Sequence, residues 1–251
     1  MALSRTQLAK AGFTDLSEAL MQLESVCELT GSDAELILSS IHNSADPDRA
    51  IAWLLRLSQS TASVKSVKKL LSEQDSTTRL LSILGGSKGL AEFIERHPHT
   101  LAFFHDEPGL PGDQEKMRAS LLKSVGAVKG FAKTGGDTAR DELRIHYREL
   151  LLKIAIWDLG HDNPLHQIEW VTGSLSDIAG GALEAGLAIA RTEVAENFSR
   201  EEVELVDLAI IGMGKCGARE LNYLSDVDVI YVGASLDEEK LPTDKALTIA
   251  T

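Results

Sequence analysis

The sequence predicts a mainly α-helical protein with a smaller α/β part. Apolar residues recur at helical spacing through residues 1–200, in segments separated by short polar turns. Segments of this length and pattern are typical of a helical bundle. Two β-rich apolar stretches, "DLAIIGM" and "VDVIYVG", follow within residues 201–251. We therefore expect a helical bundle followed by the first strands and helix of an α/β domain.

The composition is that of a globular protein with an acidic charge balance. Of its 251 residues, 43% are hydrophobic and 25% are charged, and 38 Asp+Glu against 25 Lys+Arg give a formal charge of -13. This charge disfavours a broad surface that follows phosphates, so we expect no nucleic-acid partner. Two distant cysteines, Cys27 and Cys216, favour a reducing cytoplasm over a disulfide framework or a zinc site. The chain lacks a signal-peptide pattern and any apolar stretch long enough to span a membrane, so we expect a cytoplasmic protein with no membrane partner.

Residues 1–110 form the first predicted helical region. The segment "FTDLSEALMQLESVCEL" predicts an amphipathic helix whose first amides are capped by Thr14 or Asp15. The segment "DPDRAIAWLLRLSQ" predicts a helix with Pro47 in its first turn. Four residues make its predicted buried face: Ala50, Trp53, Leu54 and Leu57. The glycines of "LGGSKGL" lack the spacing of a Walker A motif and favour a turn between two helices.

A Pro/Gly-rich patch, "HDEPGLPGDQ", separates this region from a second helical set over residues 111–200. There, "DELRIHYRELLLKIAIWDLG" predicts a helix that ends at Gly160. Residues 165–198 predict one long helix, in which Gly180 and Gly181 indicate close packing or a bend. Its apolar residues form one seam in three- and four-residue steps: Ile168, Val171, Leu175, Ile178, Ala182, Ala185 and Ile189.

Two short segments near this long helix have polar character. The segment "SREEVELV" after it is interpreted as a charged linker. The segment "HDNPLH" before it brings His161, Asp162 and His166 together, but without further ligands a capped loop between helices is favoured over a metal site.

The stretch "GMGKCGARELNYLSDVDVIYV" in residues 201–251 contains two possible functional patterns. The first is a dinucleotide fingerprint made of Gly212, Gly214 and Gly217, with Asp237 placed as a ribose-binding acid. A parallel crossover needs a dozen or more residues, however, and only "ARELNYLS" lies between the last glycine and the next predicted strand. This spacing disfavours a dinucleotide fold.

The second pattern is the pair of aspartates Asp226 and Asp228 at the head of the apolar run. Residues two apart in a strand project to the same side, about 7 Å from each other. Such a pair is suited to two Mg²⁺ ions that clamp the attacking and leaving oxygens of a phosphoryl displacement. The alternative is two solvated acids at a strand edge.

The glycines before the pair favour the metal interpretation. Gly217 is predicted to open a short helix, whose first amides and dipole favour a phosphate. Lys215 and Arg219 flank it and could neutralise phosphate charge. A strand, a glycine turn, a short helix and a strand with D-x-D resemble the polymerase-β-like nucleotidyltransferase superfamily.

The likeness extends to one family in that superfamily. "GMGKCGARELNYLSDVDVIYV" resembles the signature of glutamine synthetase adenylyltransferase/adenylyl-removing enzymes of the actinobacterial type. "LRIHYRELLLKIAIWDL", "LSDIAGGALEAGLAIAR" and "GFTD" resemble earlier parts of the same family. The resemblance spans most of the chain, and its specificity rests on about twenty residues.

The resemblance implies a function and a set of partners. Family members carry two nucleotidyltransferase domains: the N-terminal one removes AMP from a tyrosine of glutamine synthetase by phosphorolysis, giving ADP, and the C-terminal one adds AMP from ATP. The chain begins with a plausible natural Met1 and has a single motif, so it resembles the N-terminal, adenylyl-removing part. Glutamine synthetase, a PII-type signal protein, phosphate and ADP/ATP are the implied partners.

The same resemblance assigns roles to residues. Asp226 and Asp228 would be the catalytic Mg²⁺ ligands. Gly217 and the amides after it would cradle phosphate, and the implied phosphate- or nucleotide-binding residues are Gly214, Lys215, Gly217, Arg219 and Ser225. A third metal-binding carboxylate is expected beyond residue 251, on a strand after the helix that "DKALTIAT" begins. We therefore expect a truncated chain with an incomplete site. The alternatives to adenylyl removal are ATP-dependent adenylyl transfer and a non-catalytic docking or regulatory role.

Overall fold

The computed structural model describes residues 4–105, 112–160 and 163–251. It divides into two compact units: Met1–Leu110 with Ala155–Pro164, and Pro111–Ile154 with Leu165–Thr251. The predicted class, mainly α with an α/β part, is confirmed. Most of the Pro/Gly-rich patch, together with His161 and Asp162 of "HDNPLH", lies outside the described residues. No helix within the described ranges is long and apolar enough to cross a membrane.

The first unit is built from short helices connected by tight turns. A 3₁₀ segment, Pro98–Phe104, follows the last of them. The helices are α1 (Arg5–Lys10), α2 (Leu16–Thr30), α3 (Ala34–Ile41), α4 (Pro47–Gln59), α5 (Val64–Leu70), α6 (Gln74–Gly86) and α7 (Lys88–Arg96).

The boundaries of these helices follow from the local sequence. Asp15 caps α2 by accepting from the amides of Ser17 and Glu18, whereas Thr14 donates to Asp48 on α4. The predicted face of α4 is confirmed, since all four of its residues are buried. The predicted turn in "LGGSKGL" is also confirmed, because α6 ends at Gly86 and Ser87 caps α7.

The second unit combines three helices with a two-stranded sheet and three short helices. Helix α9 begins in this unit and ends in the first. A 3₁₀ segment, Pro164–His166, precedes α10. The elements are α8 (Gln114–Ser124), α9 (Gly136–Leu159), α10 (Ile168–Val194), α11 (Arg200–Glu204), β1 (Val206–Gly212), α12 (Gly214–Gly217), β2 (Val229–Ser235) and α13 (Thr243–Ala250).

Helix α10 is the predicted long helix, and it is shorter than expected at both ends. Five residues of its predicted seam are buried, Val171, Leu175, Ile178, Ala185 and Ile189, and Ala182 is partly buried. Ile168 is 54% exposed, so the prediction for Ile168 is wrong. Ile168 is the first helical residue and has no preceding turn of α10 beside it. Gly181 permits close packing, because a Cβ there would lie 2.8 Å from Leu121 of α8.

The segment interpreted as a charged linker is structured instead. Ser199 and Glu202 form a reciprocal capping box that begins α11. Val203 is buried, and β1 starts at Val206. The linker prediction is wrong because the charges of "SREEVELV" satisfy a helix terminus rather than surround a flexible chain.

The sheet consists of β1 and β2 in antiparallel register, with Gly212 opposite Val229 and Ile210 opposite Tyr231. An antiparallel pair cannot be the strand–helix–strand unit of a dinucleotide fold. Helix α13, which "DKALTIAT" predicts, packs against both strands; a Cβ at Gly233 would lie 3.2 Å from Leu247. The antiparallel sheet therefore excludes the dinucleotide pattern.

The two faces of this sheet differ. The face that carries Gly233 contacts α13. Paired residues of an antiparallel ladder project to the same side. The opposite face, which we call the open face, consequently carries Ile211, Ile230 and Val232, which are 47%, 48% and 50% exposed.

Candidate functional site

The glycine turn connects the end of β1 to α12. Met213 caps α12, and Gly214 has a φ of +53°, a left-handed conformation that favours glycine. Gly217 lies against the strand end, because a Cβ there would come 2.3 Å from the carbonyl oxygen of Gly212. A side chain at position 217 is therefore excluded by backbone packing alone.

The structure corrects the predicted position of Gly217. Gly217 is the last residue of α12 and does not open the helix. The amides from 217 to 220 already donate to backbone carbonyls, at 2.8–3.2 Å. They are thus unavailable as the predicted phosphate cradle, and the amides that a short helix leaves unbonded are those of its first turn, Gly214–Cys216.

Arg219 follows the helix and is held by α10. Its terminal nitrogens Nη1 and Nη2 donate to Oδ1 and Oδ2 of Asp177, the second at 2.9 Å. The hydrogen bond that Arg219 donates to Asp177 raises the pKa of Arg219. Arg219 also has a φ of +61°, which is uncommon for a residue with a side chain. The predicted phosphate-neutralising group is therefore engaged by a carboxylate of the protein itself.

Ser225 belongs to a turn organised by Asn222. The Asn222 Oδ1 accepts from the Leu224 amide at 3.1 Å and from the Ser225 hydroxyl at 2.8 Å. Asn222 was not among the predicted site residues, although an asparagine just before a predicted strand is a known turn signal. The turn directs the chain into the aspartate pair.

Asp226 and Asp228 lie before β2, not inside it, because the strand begins at Val229. The backbone nevertheless continues the ladder, since the Met213 amide donates to the Asp228 carbonyl at 2.9 Å. Both aspartates are exposed, and Val227 between them is partly buried. Within the described ranges neither carboxylate has a side-chain hydrogen bond or an ion pair.

The two aspartates fit a magnesium ion. Carboxylate oxygens are suitable ligands, and Mg²⁺ is commonly bound by one or two carboxylates together with substrate phosphates. Among the described residues, no group of three or more His, Cys, Asp or Glu side chains is placed to hold a metal. Asp226 and Asp228 are the residues that we propose would hold Mg²⁺.

The remaining side chains of the turn are Lys215 and Cys216. Lys215 is exposed on α12 and available to an anion. Cys216 is partly buried, and burial raises the pKa of its thiol. A thiol with a raised pKa stays protonated at neutral pH, which argues against a reactive thiolate.

The structure also reveals a chain of polar groups that the sequence analysis missed. The Ser120 hydroxyl of α8 contacts His146 Nε2 at 2.6 Å, and His146 Nδ1 contacts Glu149 at 3.1 Å, both on α9. The separation of 26 positions between Ser120 and His146 conceals this arrangement in the sequence. Ser120 lies within α8, where amides donate along the helix and leave no oxyanion donors. We interpret the chain as a link between the two helices.

With this geometry in place, the chain can be compared with known proteins. Residues 77–247 match the family model described as glutamate-ammonia ligase adenylyltransferase. The chain belongs to this family. The resemblance found in the sequence is thereby confirmed.

Curated relatives agree with the family match. The chain is 42% identical over 253 residues to the bifunctional glutamine synthetase adenylyltransferase/adenylyl-removing enzyme of Leifsonia xyli subsp. xyli, covering 99% of this chain and 25% of the relative. The enzymes of the same name from Cutibacterium acnes and Streptomyces avermitilis are each 36% identical, covering 97% and 91% of this chain and 24% and 21% of the relatives. The chain thus spans about a quarter of the relatives it matches. No solved structure matches it.

Proposed function

We propose that this chain carries a site for Mg²⁺-dependent, phosphorolytic removal of AMP from an adenylylated tyrosine of glutamine synthetase. The observation that carries the proposal is the pair Asp226 and Asp228, exposed together beside the glycine turn. The names of the relatives support glutamine synthetase as the target and adenylyl removal as one of two activities. A PII-type signal protein is a proposed regulatory partner, and the cytoplasm the proposed location.

The proposed reaction is a displacement at phosphorus. An oxygen of inorganic phosphate forms a bond to the phosphorus of AMP, the bond from that phosphorus to the tyrosine oxygen breaks, and the tyrosine oxygen takes up a proton. The products are ADP and the unmodified tyrosine residue of glutamine synthetase. Mg²⁺, when bound, supplies charge stabilisation to the attacking and leaving oxygens. No covalent protein nucleophile is needed.

Specific residues of the chain would support this reaction. Asp226 and Asp228 would hold the metal. Lys215 and the amides at Gly214–Cys216 would face phosphate oxygens, since a cation and free amides are suitable donors to anions. Gly217 would keep the turn tight against β1, and the Ser225 hydroxyl would orient the chain before Asp226.

Two alternatives use the same residues differently. ATP-dependent adenylyl transfer also needs a metal pair and a phosphate site, and the relatives are named for both directions. A docking or regulatory module would need the helices but not the carboxylates. The two enzymatic alternatives predict different results when Asp226 and Asp228 are changed. Adenylyl removal predicts a loss of ADP release, and adenylyl transfer predicts a loss of AMP incorporation from ATP.

The deciding experiment changes both aspartates to asparagine in the full-length protein. We expect phosphate-dependent ADP release from adenylylated glutamine synthetase to fall by about a thousandfold or more, because metal binding is lost. Incorporation of AMP from ATP should survive. Asp207→Asn is the matched control, since Asp207 is an exposed aspartate on β1 of the same sheet.

Each other result has a definite meaning. If AMP incorporation disappears and ADP release survives, the site works in the adenylylating direction. If both survive while glutamine synthetase binding depends on the helices, the docking alternative is correct and the metal role of the aspartates is wrong.

A further inference from the structure

The segment between α12 and the aspartate pair, residues 218–225, is anchored to α10. We call it the motif loop. Arg219 in this loop makes a bidentate ion pair with Asp177 of α10. Two residues on, the Leu221 amide donates to the hydroxyl of Ser176 at 3.3 Å. The loop is therefore attached to one face of α10 at two neighbouring points.

The burial of this pair makes the attachment specific. Asp177 is only 7% exposed, and a carboxylate at that depth is costly unless it is paired. The bidentate arrangement fixes the orientation of the guanidinium as well as its distance. Arg219 adopts a left-handed φ of +61° while making the pair, so the loop has little freedom to take a different path.

Two further contacts complete the anchor. Leu221 is 3% exposed, so its side chain is buried at the same place where its amide is bound. Gly173, one turn earlier on α10, leaves room for the guanidinium, because a Cβ there would lie 3.2 Å from Arg219 Nη2. Gly173, Ser176 and Asp177 are three and four residues apart, which places them on one helix face.

The anchor lies close in sequence to the aspartates. Five residues separate Leu221 from Asp226 in numbering, and Asn222 folds the interval into a hydrogen-bonded turn. The other side of the pair is held by the ladder contact between Met213 and Asp228. Displacing the anchored loop therefore displaces Asp226.

We propose that Asp177 and Ser176 are positioning residues for the aspartate pair. We call their contacts with the motif loop the clamp, and within it Arg219 acts as their partner rather than as a phosphate ligand. This inference rests on the proposed function, because it assigns a role in the same reaction. It also departs from the sequence-based expectation for Arg219. The two roles of Arg219 make opposite predictions for its conservative substitution.

The first test compares Arg219→Lys with Arg219→Gln in the full-length protein. A lysine keeps the positive charge but cannot make the bidentate pair. We expect both variants to lose about 10- to 100-fold in the kcat for ADP release, with a KM for phosphate changed less than about twofold. If Arg219→Lys retains the activity and Arg219→Gln raises the KM for phosphate, Arg219 binds phosphate and the clamp proposal is wrong.

The second test uses the α10 side of the clamp. Asp177→Asn should lower kcat to the same extent as Arg219→Gln. The double variant should be no worse than either single variant, because each single change already removes the same ion pair. The Mg²⁺ concentration for half-maximal rate should rise severalfold, which a change in global stability alone would not produce. Ser176→Ala is a milder variant that keeps the ion pair, and about a threefold loss is expected.

A matched control comes from the other unit. Arg56 makes a bidentate ion pair with Glu95, at 3.0 and 3.1 Å. Glu95→Gln removes a bidentate pair whose carboxylate is more exposed than that of Asp177, far from the motif in sequence. Its kcat and its Mg²⁺ dependence should equal those of the unchanged protein. Similar losses in Glu95→Gln and Asp177→Asn would indicate a general stability effect and would overturn the proposal.

Amide hydrogen exchange tests the clamp without any activity. In Asp177→Asn, amides of residues 219–225 should exchange at least tenfold faster, while α8 and α9 keep their protection. Unchanged exchange in this loop would overturn the clamp itself. If the aspartate double variant leaves ADP release intact while exchange in Asp177→Asn rises as expected, the proposed function fails and the clamp stands. The two failures are therefore distinguishable.

Discussion

Apolar residues are buried to different extents in the helical unit at the N-terminus and in the two-stranded sheet. In the first unit, Leu54 on α4 and Leu80 on α6 are completely buried. On the open face of the sheet, Ile230 and Val232 are about half exposed. The first arrangement gains the full free energy of apolar burial, whereas the second gains part of it.

The residues that stabilise the chain by burial and the residues of the candidate site therefore lie in different regions. The candidate site residues Asp226 and Asp228 lie at the end of the sheet, in the less buried region. Binding groups need access to solvent and ligand, and they are commonly placed on turns supported by rigid elements. The support here comes from α10 through Asp177.

The largest expected effect is the difference in the free energy of unfolding between a variant in the buried core and one on the open face. Leu54→Ala should lower the free energy of unfolding by about 2–5 kcal/mol, because it leaves a cavity in a packed core. Ile230→Ala on the open face should cost less than about 1 kcal/mol. Urea unfolding followed by circular dichroism measures both. Equal losses would mean that the open face is covered in solution.

Gly217→Ala should give the next largest effect, because its Cβ would meet the Gly212 carbonyl oxygen at 2.3 Å and force the backbone apart. We expect a loss of about 1–3 kcal/mol. Gly214→Ala has open space around it and a φ of +53°, so only the conformational cost of about 1 kcal/mol applies. Thermal unfolding of the two variants compares them, and a larger loss for Gly214→Ala would contradict the packing argument.

A smaller effect concerns association of the 251-residue chain through the open face. Exposed apolar patches promote self-association, and we expect the average mass in light scattering to rise with concentration. Val232→Lys should reduce this rise. Leu29→Lys is the control, since Leu29 is a leucine on α2, outside the sheet, that is 46% exposed. A monodisperse monomer over a wide concentration range would show that the patch does not associate.

The smallest effect is a pH dependence in the first unit. Burial raises the pKa of Asp48, but hydrogen bonds from the side chain and amide of Thr14 and from the amide of Asp15 outweigh it, so the net shift is downward. A carboxyl with a depressed folded pKa stabilises the protein above the unfolded pKa of about 3.9, and this contribution is lost as the pH falls through the folded value.

Asp48→Asn should therefore lower the Tm slightly at pH 7 and flatten the fall in Tm below about pH 4. Melting curves between pH 7 and pH 2.5 measure this. Ser39→Ala on α3 offers an exposed polar control whose Tm should follow the pH as the unchanged protein does. An identical acid-side fall in Asp48→Asn and the unchanged protein would rule out a role for Asp48.

Much of the helical architecture could be predicted because its signals are local. Asp15 and Pro47 begin helices, and the buried face of α4 follows the helical period. The linker prediction failed because "SREEVELV" contains both charges and a capping box, and the capping box starts a helix there. The prediction for Ile168 failed because periodicity does not show where a helix loses its neighbours.

The candidate site was predicted as a set of residues but not as an arrangement. Local sequence signals suffice to place Gly217, Asp226 and Asp228 around one turn between two strands, since strand propensity, glycine conformation and spacing are properties of neighbouring residues. That Gly217 closes α12 against the Gly212 carbonyl and that Arg219 pairs with Asp177 is visible in the folded chain alone. Those contacts join groups that are far apart in the chain or depend on backbone direction, and no local pattern encodes either.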